Sequence, residues 1–170
     1  AFEQTRQHLS TQAGVLALDS RLQVQEHDGL KLGFFALSFG QNCFWRDHAD
    51  LHLLKPEELL RSQAQQGRLK ALIQSYRAQV DLLLLSWHWG YESELWPSQI
   101  QQAAFHWLAE AGVDLIWGHH SHLVQPFEIY QQALCLYSCG NLLSNLVGEG
   151  YHQGVLWSVA LQKTEQGLRF

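Results

Sequence analysis

The sequence has no methionine, only three prolines and three cysteines, and no apolar run near the roughly 18 residues of a membrane-spanning helix. It has 11 Lys and Arg against 16 Asp and Glu, a formal net charge of −5 that argues against a nucleic-acid partner. No secretory signal peptide is recognisable at the start. Because even position 1 is not Met, we expect a processed or excised piece of a longer gene product. This leaves its localisation open between the cytoplasm and the cell envelope.

The length and composition of the chain predict one folded domain over residues 1–170. Of these residues, 46% are apolar and 12% aromatic, which is enough for a sizeable core. The three cysteines lack the spacing of a zinc finger. Cys135 and Cys139 lie in an apolar stretch and are expected to be small core residues.

Apolar spacing along the chain predicts alternating helices and strands. Asp28-Gly29, between apolar runs at 22–27 and 30–37, predicts a hairpin. Pro56 and Pro97 each begin a run with helical spacing, the first reaching about residue 79 with a break near Gly67. Also predicted are a helix over 2–12 and strands over 15–18, 81–87, 113–117, 127–130, 133–138 and 155–161. This order predicts an α/β fold with a mixed β-sheet flanked by helices.

Histidines follow two of the predicted buried strands. His88 ends the first, and His119, His120 and His122 follow the second. Parallel strands joined by a helix end at one edge of the sheet, where ligand sites of open α/β sheets lie. We therefore expect His88 to meet His120 and His122 there and to bind a divalent metal, either manganese, zinc or iron.

Spacing separates the three histidines of the second loop. Side chains at i and i+2 of an extended segment share a side, so His120 and His122 are predicted to face one way and His119 the other. The alternative is that these imidazoles only hydrogen-bond loop backbone. The nearest carboxylate is Glu92, which either hydrogen-bonds a ligand, contacts substrate or is a plain surface acid; weaker acidic candidates are Glu94, Asp114 and Glu128.

Four tryptophans surround the predicted site in sequence: Trp87, Trp89, Trp96 and Trp117. They either form a platform for a sugar or polymer substrate or pack in the core and its rim. Trp89, between His88 and Gly90, is the best candidate for a ring that faces substrate.

Several motifs in order resemble the CapA family of capsule and poly-gamma-glutamate biosynthesis proteins, within the calcineurin-like metallophosphoesterase superfamily. The motifs are His88-Trp89-Gly90 with Glu92, Pro97 with Gln101, Ala111-Gly112-Val113-Asp114, Gly118-His119-His120-x-His122 and Tyr137-Ser138-x-Gly140-Asn141. The better-matched part spans about residues 81–145. Ser93, Ser121 and Leu142 depart from the residues that the family usually has there.

The resemblance implies part of an αββα sandwich and metal-assisted hydrolysis, with two ions in a full-length parent. It adds Asn141 and His119 as residues that support a ligand or contact substrate. It also implies that the family's first metal-binding acids and an Asn-Asn-His segment precede the point where this chain begins. The chain is therefore expected to be the C-terminal portion of such a domain.

Three functions remain open from the sequence, the last of them a mononuclear zinc site of unrelated function. One is a metal-dependent, phosphoesterase-like hydrolase acting on a small molecule or a cell-surface polymer. Another is a non-catalytic binding or assembly module that has the fold but an incomplete metal site. The oligomeric state is not predicted.

Overall fold

The computed structural model of the chain describes residues 21–40, 53–164 and 167–170. Its strands are β1 (Gln23–His27), β2 (Leu30–Ser38), β3 (Leu82–His88), β4 (Leu115–His119), β5 (Phe127–Tyr130), β6 (Ala133–Leu136), β7 (Gln162–Thr164) and β8 (Gly167–Arg169). Its helices are α1 (Pro56–Arg61), α2 (Gln63–Arg77) and α3 (Gln99–Ala111). The helix predicted over 2–12 and the strand predicted over 15–18 lie outside the described residues.

A six-stranded mixed sheet has the order β1-β2-β3-β4-β6-β5. The four inner strands β2, β3, β4 and β6 run parallel, and the edge strands β1 and β5 are antiparallel to their neighbours. The helices α1 and α2 separate β2 from β3, and α3 separates β3 from β4. The predicted α/β class with a mixed, helix-flanked sheet is confirmed.

The predicted hairpin at Asp28-Gly29 is also confirmed. β1 and β2 pair antiparallel with His27 opposite Leu30. Both loop residues have positive φ, 50° at Asp28 and 76° at Gly29. A two-residue turn of this kind requires positive φ at both positions, which Asp and Gly tolerate.

Two of the helices begin at a serine cap. Ser98 and Gln101 form a reciprocal capping box before α3, and Gly112 ends this helix with φ 114°. The break between α1 and α2 lies at Ser62, whose side chain accepts from the Gln65 backbone, so the prediction of a break near Gly67 was wrong. No helix in the described part of the chain is both long and apolar enough to cross a bilayer.

The main core lies between the three helices and one face of the sheet. Alternate residues of β3, namely Leu83, Leu85 and Trp87, are fully buried on this face. Because strand side chains alternate between faces, Ser86 and His88 lie on the opposite face. The alternation thus separates the residues that stabilise the fold from those available for a site.

The C-terminal residues cross that opposite face. Trp157 and Phe170 pack against a second apolar cluster on β4 and β6, and the Trp157 ring lies 5.1 Å from that of Phe127. Residues 155–161 form no strand, so that prediction was wrong. Leu156, in the middle of the segment, is 98% exposed, so the apolar run does not mark a buried strand.

Substitution at Gly118 tests how closely β4 packs against Tyr137 and Trp89. A Cβ there would collide with the carbonyl oxygen of Tyr137 and the indole nitrogen of Trp89. We expect Gly118→Ala to lower the free energy of unfolding by about 1–3 kcal/mol, measured by urea denaturation. The control is Gly67→Ala, at an exposed position in α2 with open space around it. This change should stabilise by about 0.5–1 kcal/mol, and equal effects of the two substitutions would contradict the packing.

Candidate functional site

The parallel pairing of β3 with β4 brings the histidines together. His88 lies directly opposite His119 in the register, so the two side chains share a face at the carboxyl edge of the sheet. The His88 ring centroid lies 4.8 Å from that of His119 and 4.4 Å from that of His120. The His120 and His122 centroids are 6.3 Å apart. The predicted meeting of the two histidine loops is therefore present.

The loop after β4 is not extended, contrary to the spacing argument. His120 has φ 119° and His122 has φ 62°, both in the region that disfavours residues with a Cβ. Between them, the buried Ser121 hydroxyl donates to the Leu123 carbonyl and accepts from the Leu123 amide. The loop turns tightly around Ser121, so the proximity of the two rings comes from this turn and not from an i, i+2 pattern.

His119 does not point away from the site. Its Nδ1 lies 2.8 Å from Nδ1 of His88, and its Nε2 lies 3.1 Å from the Ser86 hydroxyl. Both nitrogens of His119 thus have partners, whereas only one nitrogen of His88 is used in this contact. This geometry suits His119 to orienting His88.

Asn141 determines the tautomer of His122. Its side-chain NH2 donates to the carbonyl oxygens of His122 and Tyr151, at 3.1 and 3.0 Å. Carbonyls only accept, so these two bonds determine which amide atom is oxygen. That oxygen lies 2.8 Å from His122 Nδ1, which must then carry the hydrogen. The Nε2 lone pair of His122 is consequently available to a ligand.

Burial favours the uncharged form of three histidines at the site. Burial lowers the pKa of His88, and the neighbouring His120 and His122 lower it further, while Glu92 acts in the opposite direction. Burial also lowers the pKa of His120, again opposed by Glu92. The more deeply buried His119 has its pKa lowered to about 4. Neutral imidazoles have the free lone pairs that metal coordination requires.

A cleft of about 200 Å³ opens beside the His122 ring. It is lined by Glu92, Ser93, His122, Leu146, Val147 and Tyr151. The Ser93 hydroxyl and the Tyr151 phenol are hydrogen-bonded to each other across it. Glu92 therefore lies near His122, and its charge raises the pKa of His88 and of His120 against the effect of burial.

Other predicted residues lie elsewhere. Trp89 is only 1% exposed, stacks on Trp87 and donates to the Tyr137 carbonyl, so the prediction that it faces substrate was wrong. Its side chain enters the core because Gly118 leaves room for the indole. Asp114 precedes β4, at the opposite edge from the histidines, where it accepts from the Leu83 amide. Glu128 on β5 is bonded to His106 and Tyr137.

Two residues beside the histidines, Phe39 and Ser86, were not predicted from the sequence. The Phe39 ring stacks on His88 at 5.6 Å and lies 4.6 Å from His120, which shields both imidazoles from water. Its signal was available, since Phe39 directly follows a parallel strand that ends at the same edge. Ser86 lies two residues before His88 on β3 and so shares its face.

Imidazoles are common metal ligands, and one of the two ring spacings among His88, His120 and His122 suits a shared ion. Two imidazoles on one ion, each nitrogen about 2 Å from it, place their ring centroids roughly 5 Å apart. The separation of His88 and His120, 4.4 Å, suits a shared ion, and that of His120 and His122, 6.3 Å, is longer. Across the ranges that the structure describes, no three His, Cys, Asp or Glu side chains form a ready cage. His122 would have to move inward to complete one.

The comparison with protein families identifies the chain. The model of the bacterial capsule synthesis protein family PGA_cap matches residues 13–146, most of the sequence. The chain belongs to this family. The family match covers both histidine loops and Asn141.

Curated relatives match a shorter segment. The capsule biosynthesis protein CapA of Bacillus anthracis is 39% identical over 67 residues, 39% of this chain and 16% of that protein. The PGA biosynthesis protein CapA of Bacillus subtilis is 32% identical over 72 residues, 42% of this chain and 19% of that protein. A probable polyglutamine synthesis accessory protein of Mycobacterium tuberculosis is 36% identical over 73 residues, covering 43% and 19%. The match thus spans less than a fifth of each relative.

Among solved structures, a hypothetical protein from Thermus thermophilus matches 70% of this chain and 38% of its own. The TM-score is 0.45 and the sequence identity 16%.

Removing the Asn141 amide tests its place in the site. We expect Asn141→Leu to lower the free energy of unfolding by about 1–3 kcal/mol, because His122 Nδ1 and two carbonyls lose their partner. Urea denaturation measures the change. Asn145→Leu, in the exposed part of the same loop, is the matched control and should stay within about 0.5 kcal/mol. An unchanged stability of Asn141→Leu would contradict the assigned bonds.

Proposed function

We propose that the chain is part of a metal-dependent, phosphoesterase-like hydrolase that acts in capsule or poly-gamma-glutamate biosynthesis. The observation that carries the proposal is the pair of uncharged imidazoles, His88 and His120, with ring centroids 4.4 Å apart at the carboxyl edge of parallel strands. His122 is the third ligand, with its Nε2 lone pair left free by Asn141. Rigid strand ends and short loops are suited to holding such ligands in place.

Manganese, zinc or iron would suit three imidazoles. Such an ion, when bound, acts as a Lewis acid and generates a water-derived nucleophile. Residues of the chain exclude water and accept a proton. Phe39 shields the imidazoles from water, and the Glu92 carboxylate, on the wall of the adjoining cleft, is placed to accept a proton.

The substrate class follows from the relatives and the resemblance. The names of the relatives refer to capsule, PGA and polyglutamine synthesis. Phosphoesters are the usual substrates of the superfamily that the motifs resemble. We therefore propose a small phosphoester or a cell-surface polymer as the substrate.

The second candidate is a non-catalytic binding or assembly module of the same pathway. It is favoured by the lack of a ready three-ligand cage among the residues described. A site of this kind could keep its histidine contacts for structural reasons. Metal binding and turnover, measured on the same protein, separate the two functions.

Metal titration tests the ligand set. We expect Mn²⁺ or Zn²⁺ at 100 times its dissociation constant to stabilise the folded chain by about 2.7 kcal/mol, because the ion binds the folded state. Thermal unfolding followed by circular dichroism measures this shift. His120→Ala should abolish it. The control is His27→Ala, whose imidazole is largely exposed at the far end of the sheet and should leave the shift intact. Equal shifts in His120→Ala and the unmodified chain would rule out the site.

Turnover distinguishes the hydrolase from the binding module. We expect the purified chain with Mn²⁺ to hydrolyse bis(4-nitrophenyl) phosphate, measured by nitrophenolate absorbance. His88→Ala should reduce the rate at least about tenfold, because a missing ligand weakens the site. His27→Ala is again the control. Metal binding without His88-dependent turnover would favour the binding module.

A further inference from the structure

Two hydrogen bonds join Ser86, His119 and His88 in a series that connects β3 with β4. Ser86 Oγ lies 3.1 Å from His119 Nε2, and His119 Nδ1 lies 2.8 Å from His88 Nδ1. A neutral imidazole has one nitrogen that donates and one that accepts. The hydrogens along this series must therefore all point one way, and only two arrangements satisfy both bonds.

In the first arrangement, His88 Nδ1 donates to His119 Nδ1, and His119 Nε2 donates to the Ser86 hydroxyl oxygen. His88 Nε2 then has a free lone pair. In the second arrangement, the Ser86 hydroxyl donates to His119 Nε2 and His119 Nδ1 donates to His88 Nδ1. His88 Nε2 then carries a hydrogen, so neither of its nitrogens can bind an ion.

His122 provides the comparison within the same site. Its partner Asn141 can only accept through Oδ1, so Nδ1 of His122 carries the hydrogen without further help. His119 has no such built-in direction, because an imidazole nitrogen either donates or accepts. The Ser86 hydroxyl can also either donate or accept, so it fits both arrangements. Only the first arrangement leaves His88 Nε2 with the lone pair that a bound ion needs.

We propose that His119 is a positioning residue for His88: it accepts from His88 Nδ1 and donates to Ser86 Oγ, which presents His88 Nε2 to the ion. The inference rests on the proposed metal site. It assigns His119 a role other than that of a ligand, since both of its nitrogens are used. It also assigns Ser86 the role of terminal acceptor.

Nitrogen NMR of the histidine rings tests the assigned direction. In the Zn²⁺-loaded full chain, long-range ¹H–¹⁵N spectra should show His88 protonated at Nδ1 and His119 protonated at Nε2. The opposite tautomer at either residue would overturn the inference. This readout reports hydrogen positions, which a merely structural role for His119 would not determine.

Two substitutions at one position test the energetic consequence. His119→Phe keeps a ring but removes the acceptor, and we expect it to weaken Zn²⁺ binding by about 10 to 100-fold by calorimetric titration. His119→Asn places an oxygen one bond beyond Cγ, as Nδ1 is, and should restore affinity to within about threefold of the unmodified chain. Thermal unfolding of each metal-free variant verifies that it is folded.

The outcomes also separate this inference from the proposed function. Unchanged affinity in His119→Phe, with normal Zn²⁺ binding by the unmodified chain, overturns the role of His119 alone. Equal losses in His119→Phe and His119→Asn overturn it as well, because the acceptor would then be irrelevant. No Zn²⁺ binding by the unmodified chain would overturn the proposed metal site and this inference together.

Discussion

The parallel pairing of β3 with β4 is the constraint on which the site depends. It sets His88 opposite His119 and aligns both on the face of the sheet that the helices leave open. A shift of one residue in this register would turn one of the two side chains into the core. The buried Leu85 and Ile116, opposite each other in the same pairing, make such a shift costly. Core packing thus holds the two histidines together.

Outside the strands, hydrogen bonds of Ser121 and Asn141 hold the loop histidines in position. Ser121 holds the tight turn that brings His120 and His122 near each other, and Asn141 orients His122. Left-handed backbone at two histidines is costly for residues with a Cβ, of the order of 1–3 kcal/mol each. Such strain is characteristic of functional sites, because it persists only where surrounding contacts hold it.

The sequence predicted the positions of strands and helices better than it predicted strand pairing and side-chain packing. Hydrophobic periodicity located the inner strands and α3 to within two residues, and the Asp-Gly signal located the hairpin. Hydrophobic periodicity failed at residues 155–161, since an apolar run forms a strand only if a neighbouring strand pairs with it. It also failed at Trp89, because periodicity does not reveal the space that Gly118 leaves beside β4.

What the sequence determined by itself is the fold class, the family and the identity of the histidines at the ends of two strands. These follow from local patterns, which act between residues close together along the chain. The tertiary structure alone decided which nitrogens of His88, His119 and His122 are hydrogen-bonded. It also decided that Phe39 and Ser86 lie beside these rings and that Trp89 lies in the core. Hydrogen-bond direction and burial depend on residues from distant parts of the chain, as with Asn141 beside His122.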